Sequence, residues 1–425
     1  MADIRRSSAA VALILGMALG VVQIVAHPFQ SAAAAFELPA PTGPYPVATT
    51  SWHVSDRSRP ESFAGPGEFR QVEVLAWYPA TMRRGATAPY LREGLPEVRS
   101  FARLFGAENA FDGAKDVRTH AELDGQPAAS PQRFPVLLFS HGYTGVPSSY
   151  TALLEDLASH GYAVLSIVHP YEATLATLEG GRTISINGPD GKFVQGVQDV
   201  LAEWGAEDTT MAAVTAATDP AEQVRLMRGY LGSLRKTVVM LHRWVDDTKL
   251  VVDRLSSVPK TTPAGRLVAR LDTSRIGAFG HSMGGVTSAQ FCVEDARCRA
   301  GLNLDGIPQY GPMIDTPMPR PFLMVYSERP GRLGASDPIY RRSARPYYRV
   351  DVKGTRHLEF SDMVFWGGPL KPPVLGTIAG VRATEITRAI VRQYFDEVLL
   401  GKPSPLLAGQ PVFPEVTASR PSPLG

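Results

Sequence analysis

A serine that could act as a nucleophile lies at residue 282, inside the pattern Gly-x-Ser-x-Gly. The five residues before the pattern are mostly apolar and predict a buried strand, and the nine residues after it predict a helix. A sharp strand-to-helix turn exposes a serine hydroxyl, and Gly280 and Gly284 leave free the space that side chains would fill. The pattern therefore favours an activated Ser282 over a tight turn with a capping serine.

A serine hydroxyl needs a base to take its proton, and an imidazole suits neutral pH. His357 is the only histidine after Ser282, which makes it the candidate base. An acid must orient that imidazole, and in a strand-turn-helix nucleophile site the chain order is Ser, acid, His. Asp305 directly follows an apolar segment and is the predicted acid, although a turn-forming role is its alternative. Glu328 and Asp337, which lie past the next apolar segment, are the rival acids.

Two backbone N–H groups are expected to bind the negative oxygen that forms when a serine attacks a carbonyl. One is the N–H of Met283, directly after the serine. The other is assigned to Tyr143, in a turn that follows a second apolar segment. We expect His141 and His281 to hold their own turns by local hydrogen bonds. His169 lies at another predicted strand end, where it either lines the pocket or simply terminates the strand.

The surrounding chain has the size and composition of one large α/β domain. It has 425 residues, of which 44% are hydrophobic and 20% charged, and its net charge of +2 indicates no broad nucleic-acid surface. From residue 134, apolar strands alternate with helical patterns, which predicts a parallel sheet inside a domain of residues 36–400. Residues 170–220 interrupt this rhythm and predict an inserted lid, and the Pro-rich tail 401–425 is expected to wrap or fray. Alternating residues 70–78 predict a half-buried strand near a sheet edge.

The N-terminus has the layout of a secretory signal. Arg5 and Arg6 precede a mostly apolar run at 9–26, and small residues follow before Phe36. We expect residues 1–35 to be removed and the protein to be secreted or periplasmic. The alternative is an uncleaved membrane anchor, since the apolar run is long for a signal.

The chain has two cysteines, Cys292 and Cys298. Their separation across a predicted helix end brings them within bridging range, and in an exported protein a disulfide is expected. Two buried free thiols are the alternative. No metal site is predicted, because no His or Cys pair accompanies them at ligand spacing.

The motifs described above occur together with two short motifs nearer the N-terminus. They are Phe139-Ser140-His141-Gly142, Gly280-His281-Ser282-Met283-Gly284-Gly285, Asp305, His357, Pro41-Thr42-Gly43-Pro44-Tyr45 and Trp77-Tyr78-Pro79-Ala80. In this combination the chain resembles the platelet-activating factor acetylhydrolase family, in its plasma and bacterial branch, from about residue 38 to 400.

The resemblance implies an α/β-hydrolase fold, with a mostly parallel central sheet flanked by helices. It also implies cofactor-free, calcium-independent hydrolysis of short or oxidised sn-2 acyl groups of phospholipids such as platelet-activating factor, through an acyl-enzyme. Carried over, Ser282 is the nucleophile, Asp305 the acid and His357 the base, with Tyr143 and Met283 as oxyanion donors. The implied partners are a lipid or small-molecule ester and a transient membrane or lipoprotein-like interface.

One departure from the family pattern concerns substrate range. Residues 143–145 read Tyr-Thr-Gly, where a shorter apolar-glycine sequence is expected, and this is similar to polyester hydrolases and cutinase-like enzymes. A general carboxylesterase or polyester hydrolase is therefore the alternative function. A non-catalytic binding protein with the same fold is the remote alternative.

Overall fold

The computed structural model describes residues 36–81, 85–308, 312–343 and 345–424. The predicted signal segment, 1–35, lies outside these residues. The strands are β1 Val47–Pro60, β2 Phe69–Pro79, β3 Thr87–Pro89, β4 Arg118–Leu123, β5 Phe134–Ser140, β6 Ala163–Val168, β7 Leu175–Thr177, β8 Thr183–Ser185, β9 Leu271–His281, β10 Cys298–Leu304, β11 Phe322–Ser327, β12 Tyr347–Val352 and β13 Val416–Ser419. The α-helices are α1 Leu95–Ala102, α2 Thr151–Ser159, α3 Gln195–Glu203, α4 Glu207–Ala216, α5 Pro220–Leu231, α6 Arg235–Arg254, α7 Pro263–Val268, α8 Met283–Glu294, α9 Asp337–Tyr340 and α10 Gly380–Leu400.

Eleven of these strands form one sheet, in the order β13-β12-β11-β10-β9-β5-β6-β2-β1-β4-β3. The six strands from β12 to β6 are parallel, and β2 joins β6 in the antiparallel direction. Parallel neighbours need crossover connections, and helices supply most of them here. This architecture confirms the predicted α/β-hydrolase fold class.

The sheet is buried on both faces, as its apolar strands require. On β5, Val136 and Leu138 face one hydrophobic cluster, to which α6 and α8 contribute, whereas Leu137 and Phe139 face a second cluster built with α2 and α10. Because the carboxyl ends of parallel strands meet at one edge, the loops after β5, β9, β10, β11 and β12 gather there.

The strand predicted at 70–78 exists, but the expectation of a half-buried edge strand is wrong. β2 lies between β1 and β6 and is buried along nearly its whole length. Its polar positions are paired inside the protein: Arg70 binds Asp247, and Glu73 accepts a hydrogen bond from the Thr177 N–H at 3.1 Å. The polar side chains of this alternating segment are therefore paired inside the protein and do not form a solvent-facing side.

Two segments outside the regular βα rhythm have defined structure. Residues 170–220 contain the β7–β8 hairpin and the helices α3 and α4. In the tail that was expected to wrap or fray, β13 pairs in antiparallel fashion with β12 and extends the sheet.

Candidate active site

Ser282 lies at the turn between β9 and α8, in a strained backbone conformation. Its φ is +56°, in the left-handed region that non-glycine residues seldom adopt. A Cβ on Gly284 would overlap the carbonyl of Ser140, and one on Gly280 would overlap the backbone of Gly284. The Ser282 N–H donates to the Leu304 carbonyl at 2.8 Å, which ties the turn to the neighbouring strand end. The packing therefore requires both glycines and holds the strained turn in place.

Asp305 and His357 meet at the same edge of the sheet. Asp305 follows β10, His357 begins a short 3-10 turn after β12, and His357 Nδ1 lies 2.8 Å from Asp305 Oδ2. A carboxylate only accepts hydrogen bonds, so Nδ1 carries the proton and Nε2 is left as an acceptor. Asp305 also accepts hydrogen bonds from the Ser327 N–H and hydroxyl, both at 2.9 Å. The imidazole is thus oriented in the tautomer that a general base needs.

The two rival acids have other partners. The exposed Glu328 accepts a hydrogen bond from the Gly354 N–H at 2.9 Å. Asp337 binds Arg349 at 2.6 Å. Of the three candidate acids, Asp305 is the one that contacts His357.

Arg329, which the sequence analysis did not single out, lies against the acid. Its Nε is 3.0 Å from Asp305 Oδ2, and its Nη2 donates to the Asp305 carbonyl at 3.1 Å. Burial opposes ionisation of Asp305, but Arg329 and His357 outweigh burial and hold the pKa of the carboxyl well below its usual range. Burial and the positive charge of Arg329 also lower the pKa of His357, against the opposing effect of Asp305. His357 is therefore neutral at pH 7.

The turn after β5 presents the Tyr143 N–H. The Gly142 carbonyl accepts hydrogen bonds from His141 Nδ1 at 2.7 Å and from the Gly145 N–H at 2.9 Å. In a trans peptide the C=O and the following N–H point in opposite directions, so holding this carbonyl turns the Tyr143 N–H away from His141. Within the described ranges, neither this N–H nor that of Met283 donates to a protein acceptor.

A cavity of about 80 Å³ opens beside Ser282. Its lining includes Ser282, His357, Tyr143 and Met283, so the structure brings together the predicted nucleophile, base and oxyanion donors. The lining also includes seven apolar or aromatic side chains, Phe101, Leu201, Trp204, Val286, Ile307, Leu358 and Met363, and the polar residues Thr144, Glu207, Arg329 and Ser361. Leu201 and Trp204 come from residues 170–220, so the segment predicted to be a lid contributes to the cavity wall.

His141 and His169 are buried and hydrogen-bonded within the protein. This agrees with the expectation for His141 and with the strand-terminating alternative for His169. His141 Nε2 accepts from the His169 N–H at 3.2 Å. His169 Nδ1 lies 2.9 Å from Asp247 Oδ2, and its Nε2 lies 3.3 Å from Ser140 Oγ. A second Ser-His-Asp arrangement is thus formed by Ser140, His169 and Asp247, which we call the sealed set because all three are buried. No local motif predicted it.

The structure joins Cys292 and Cys298 in the predicted disulfide, with a Cα–Cα distance of 5.0 Å. Across the residues that the structure describes, no group of three or more His, Cys, Asp or Glu side chains is placed to hold a metal ion. No helix in those ranges is long and apolar enough to cross a membrane.

Comparison with known proteins finds a matching family profile and several relatives. A profile of the family described as "Platelet-activating factor acetylhydrolase, isoform II" matches residues 34–183. The platelet-activating factor acetylhydrolase of Cavia porcellus is 25% identical over 249 residues, which cover 57% of this chain and 52% of that protein. A probable 1-alkyl-2-acetylglycerophosphocholine esterase of Arthroderma benhamiae is 24% identical over 305 residues, covering 66% of this chain and 65% of that one.

A solved structure extends the likeness over nearly the whole chain. The ferulic acid esterase from Streptomyces cinnamoneus superposes with a TM-score of 0.69 at 29% identity, covering 91% of this chain and 100% of that one. By contrast, the aligned region spans about half the length of the Cavia porcellus relative. From these matches and its parallel-sheet architecture, the chain has the α/β-hydrolase fold and is similar to the platelet-activating factor acetylhydrolase family.

Proposed function

We propose that this protein is a serine carboxylic-ester hydrolase that cleaves short acyl esters, including short or oxidised sn-2 acyl groups of phospholipids. The observation that carries the proposal is that Ser282, His357, Tyr143 and Met283 line the same cavity. The names of the Cavia porcellus and Arthroderma benhamiae relatives add support for a phospholipid ester substrate.

The reaction has two steps. Ser282 Oγ attacks the ester carbonyl while His357 Nε2 takes the serine proton, and the Tyr143 and Met283 N–H groups bind the resulting oxyanion. The C–O bond to the alcohol then breaks, and His357 returns the proton to the departing alcohol. In the second step, water replaces the alcohol and attacks the acyl-Ser282 carbonyl while His357 Nε2 takes a proton from the water. The C–O bond to Ser282 then breaks, His357 returns the proton to Ser282 Oγ, and the carboxylic acid leaves. Asp305 stabilises the imidazolium in both steps.

The cavity wall supports a short acyl chain. A space of about 80 Å³ with a mostly apolar lining accepts a small acyl group more readily than a long one. Leu201 and Trp204 belong to the inserted region, and we assign this region the role of a cover that limits acyl length. Oligomeric state plays no part in this assignment.

A second candidate function is hydrolysis of simple or aromatic esters. The ferulic acid esterase matches over its entire length, whereas the family profile matches only residues 34–183. The aromatic side chains of Phe101 and Trp204 in the cavity wall also suit a planar acyl group. A general carboxylesterase, with a polyester hydrolase as one form of it, therefore stays an alternative to the phospholipid substrate.

Export of the mature protein is part of the proposal. The disulfide between Cys292 and Cys298 is consistent with an oxidising compartment, secreted or periplasmic. Intact-mass measurement of protein recovered from the producing cells tests this: loss of residues 1–35 supports cleavage, and retention of the segment in the membrane fraction favours the anchor.

The first experiment measures initial hydrolysis rates on phosphatidylcholines with sn-2 acyl chains from acetyl to palmitoyl, beside p-nitrophenyl acetate and methyl ferulate. We expect a steep preference for short sn-2 chains. The Ser282→Ala variant should lose about 10⁴-fold or more in kcat, because the nucleophile, base and acid act as a unit. Ser288→Ala, which removes a buried hydroxyl bonded to the Gly284 carbonyl, is the matched control.

The outcomes separate the hypotheses. Activity on simple esters alone keeps the serine mechanism and moves the function to a general carboxylesterase. Undiminished activity of Ser282→Ala would overturn the mechanism. An inert wild-type protein that also fails to react with an organophosphonate probe would favour the binding-protein alternative.

A further inference from the structure

Two buried side chains connect the turn that carries the Tyr143 N–H to the turn that carries His357. Tyr150 Oη lies 3.2 Å from the Gly142 N and 2.9 Å from His281 Nδ1. His281 Nε2 lies 2.8 Å from the carbonyl oxygen of His357. A continuous path of three hydrogen bonds therefore runs from the backbone of Gly142 to the backbone of His357.

Each hydrogen bond in this path has one permitted direction. The His357 carbonyl can only accept, so His281 Nε2 carries the proton and donates it. In a neutral imidazole Nδ1 is then the acceptor, so the Tyr150 hydroxyl donates to it and accepts from the Gly142 N–H. Every donor and acceptor in the path is satisfied when His281 is neutral.

The surroundings keep His281 in that neutral form. Tyr150 and His281 are 2% and 3% exposed, so bulk water does not compete for their hydrogen bonds. Burial is the largest cause that holds the pKa of His281 well below its usual value, and the neighbouring His357 is the next largest. Of the charged groups that face His281, Asp305 raises this pKa and Arg329 lowers it. The pattern of donors and acceptors is thus constant across neutral pH.

The topology explains why such a link is needed. Gly142 follows β5 and His357 follows β12, and three strands, β9, β10 and β11, lie between them in the sheet. The two turns belong to separate loops, so sheet pairing does not set their separation. His281, directly before Ser282, lies between the two turns, with its ring 4.5 Å from that of His357.

We propose that Tyr150 and His281 are positioning residues that hold the oxyanion-binding turn and the base-bearing turn at a fixed separation on either side of Ser282. The inference rests on the proposed hydrolase function. Tyr150 and His281 line the cavity, but their polar atoms bond to each other, to Gly142 and to His357, so in this proposal they act through those two residues. Catalytic geometry is sensitive to displacements of about 1 Å, which can lower a rate about 100-fold.

The first test removes one hydroxyl. Tyr150→Phe should lower kcat for p-nitrophenyl acetate about 10- to 100-fold while KM changes less than about twofold, because it disturbs transition-state geometry and leaves the cavity wall in place. Tyr162→Phe is the matched control, since it also removes one buried hydroxyl, bonded to Asp396 at 2.9 Å, away from the cavity. Its kcat should equal that of the wild type.

The second test removes the two hydrogen bonds of His281 one at a time. In His281→Gln the amide nitrogen can donate to the His357 carbonyl, but no acceptor is left for the Tyr150 hydroxyl. In His281→Asn the amide oxygen can accept from the Tyr150 hydroxyl, but the donation to the His357 carbonyl is lost. Each variant should lower kcat. If Tyr150→Phe does not fold, these two variants carry the same test.

A double variant distinguishes one hydrogen-bonded path from two independent packing roles. If Tyr150 and His281 act through one path, the double variant Tyr150→Phe/His281→Gln should have a kcat within about threefold of the slower single variant. If the two losses in kcat multiply, or if Tyr150→Phe has the wild-type kcat, the proposed path is wrong. Both results presuppose an active wild type and an inactive Ser282→Ala, so an inert wild type would instead count against the proposed function.

Discussion

Two Ser-His-Asp sets lie at neighbouring strand ends in the part of the chain that the structure describes. The cavity set is Ser282, His357 and Asp305, and the sealed set is Ser140, His169 and Asp247. In both, histidine Nδ1 lies 2.8–2.9 Å from an aspartate oxygen. Ser140 ends β5, and its register partner on β9 is Gly280, two residues before Ser282.

The two sets differ in backbone and in access. Ser282 has a φ of +56° and lines the cavity, whereas Ser140 belongs to a regular strand and is 3% exposed. His169 and Asp247 are both 0% exposed. A hydrogen-bonded combination of Ser, His and Asp therefore does not make a reactive site by itself. A strained turn that exposes the hydroxyl, free N–H groups beside it and an open cavity are also needed.

The electrostatic partners differ as well. Among the described residues, Asp305 forms an ion pair with one arginine, Arg329. Asp247 contacts Arg70 at 2.6 Å and Arg59 at 2.9 Å. The sealed set thus belongs to a buried ion network, and its His169 N–H donates to His141 in the turn that carries the Tyr143 N–H. We infer that it serves stability and turn geometry, and that the cavity set serves chemistry.

The largest expected difference between the sets is in kcat. Asp305→Asn should lower kcat about 10⁴-fold, because an amide favours the wrong tautomer of His357 and does not stabilise the imidazolium. Folded Asp247→Asn protein should stay within about tenfold of the wild type. Rates on p-nitrophenyl acetate, normalised to folded protein by circular dichroism, make the comparison. Equal losses in the two variants would contradict the division of roles.

The next effect is on stability, and there the sealed set should dominate. Asp247→Asn leaves the buried Arg70 with one carboxylate fewer and should reduce the free energy of unfolding by about 3 kcal/mol, measured by urea denaturation. Asp315→Asn breaks the exposed pair with Arg228 and is the control, with an expected change of less than about 1 kcal/mol. A similar small change in both variants would mean that the buried network adds little to stability.

The smallest effect is a shift in pH dependence at the cavity set. Arg329 lowers the pKa of His357, so Arg329→Gln should raise it. His357 must be neutral to act as a base, and a higher pKa means that it becomes protonated at a higher pH. The acid limb of kcat/KM should therefore move to higher pH. Arg349→Gln, whose arginine pairs with Asp337 and Asp351, should leave the limb in place. A limb unmoved or displaced to lower pH by Arg329→Gln would refute this role of Arg329.

The fold class and the relative positions of the candidate site residues could be predicted because each leaves a local mark. Apolar strands alternating with helical patterns led to the parallel sheet. Ser282 lies between two glycines that the packing requires, and Asp305 and His357 follow strands that end at one edge. Their catalytic roles stay predictions that the variants above test.

Other features could not be predicted from local patterns. The alternation at 70–78 is typical of a solvent-facing strand, yet its polar side chains pair with residues about 100 to 180 positions away, as Glu73 does with Thr177 and Arg70 with Asp247. The arginine at 329 follows a strand with no motif around it. Its importance comes from its contact with Asp305, across 24 residues of chain.

By itself, the sequence determined the residue types and the local turns that chemistry needs: a serine between glycines, one histidine after it and an acid at a strand end. These follow from short-range sterics and from apolar periodicity, which are encoded in neighbouring residues. Only the tertiary structure decided which of two Ser-His-Asp sets meets a cavity and which is sealed, and which side chains link the turns at Gly142 and His357. Those outcomes depend on contacts between distant parts of the chain, where burial and charge pairing change the behaviour of identical side chains.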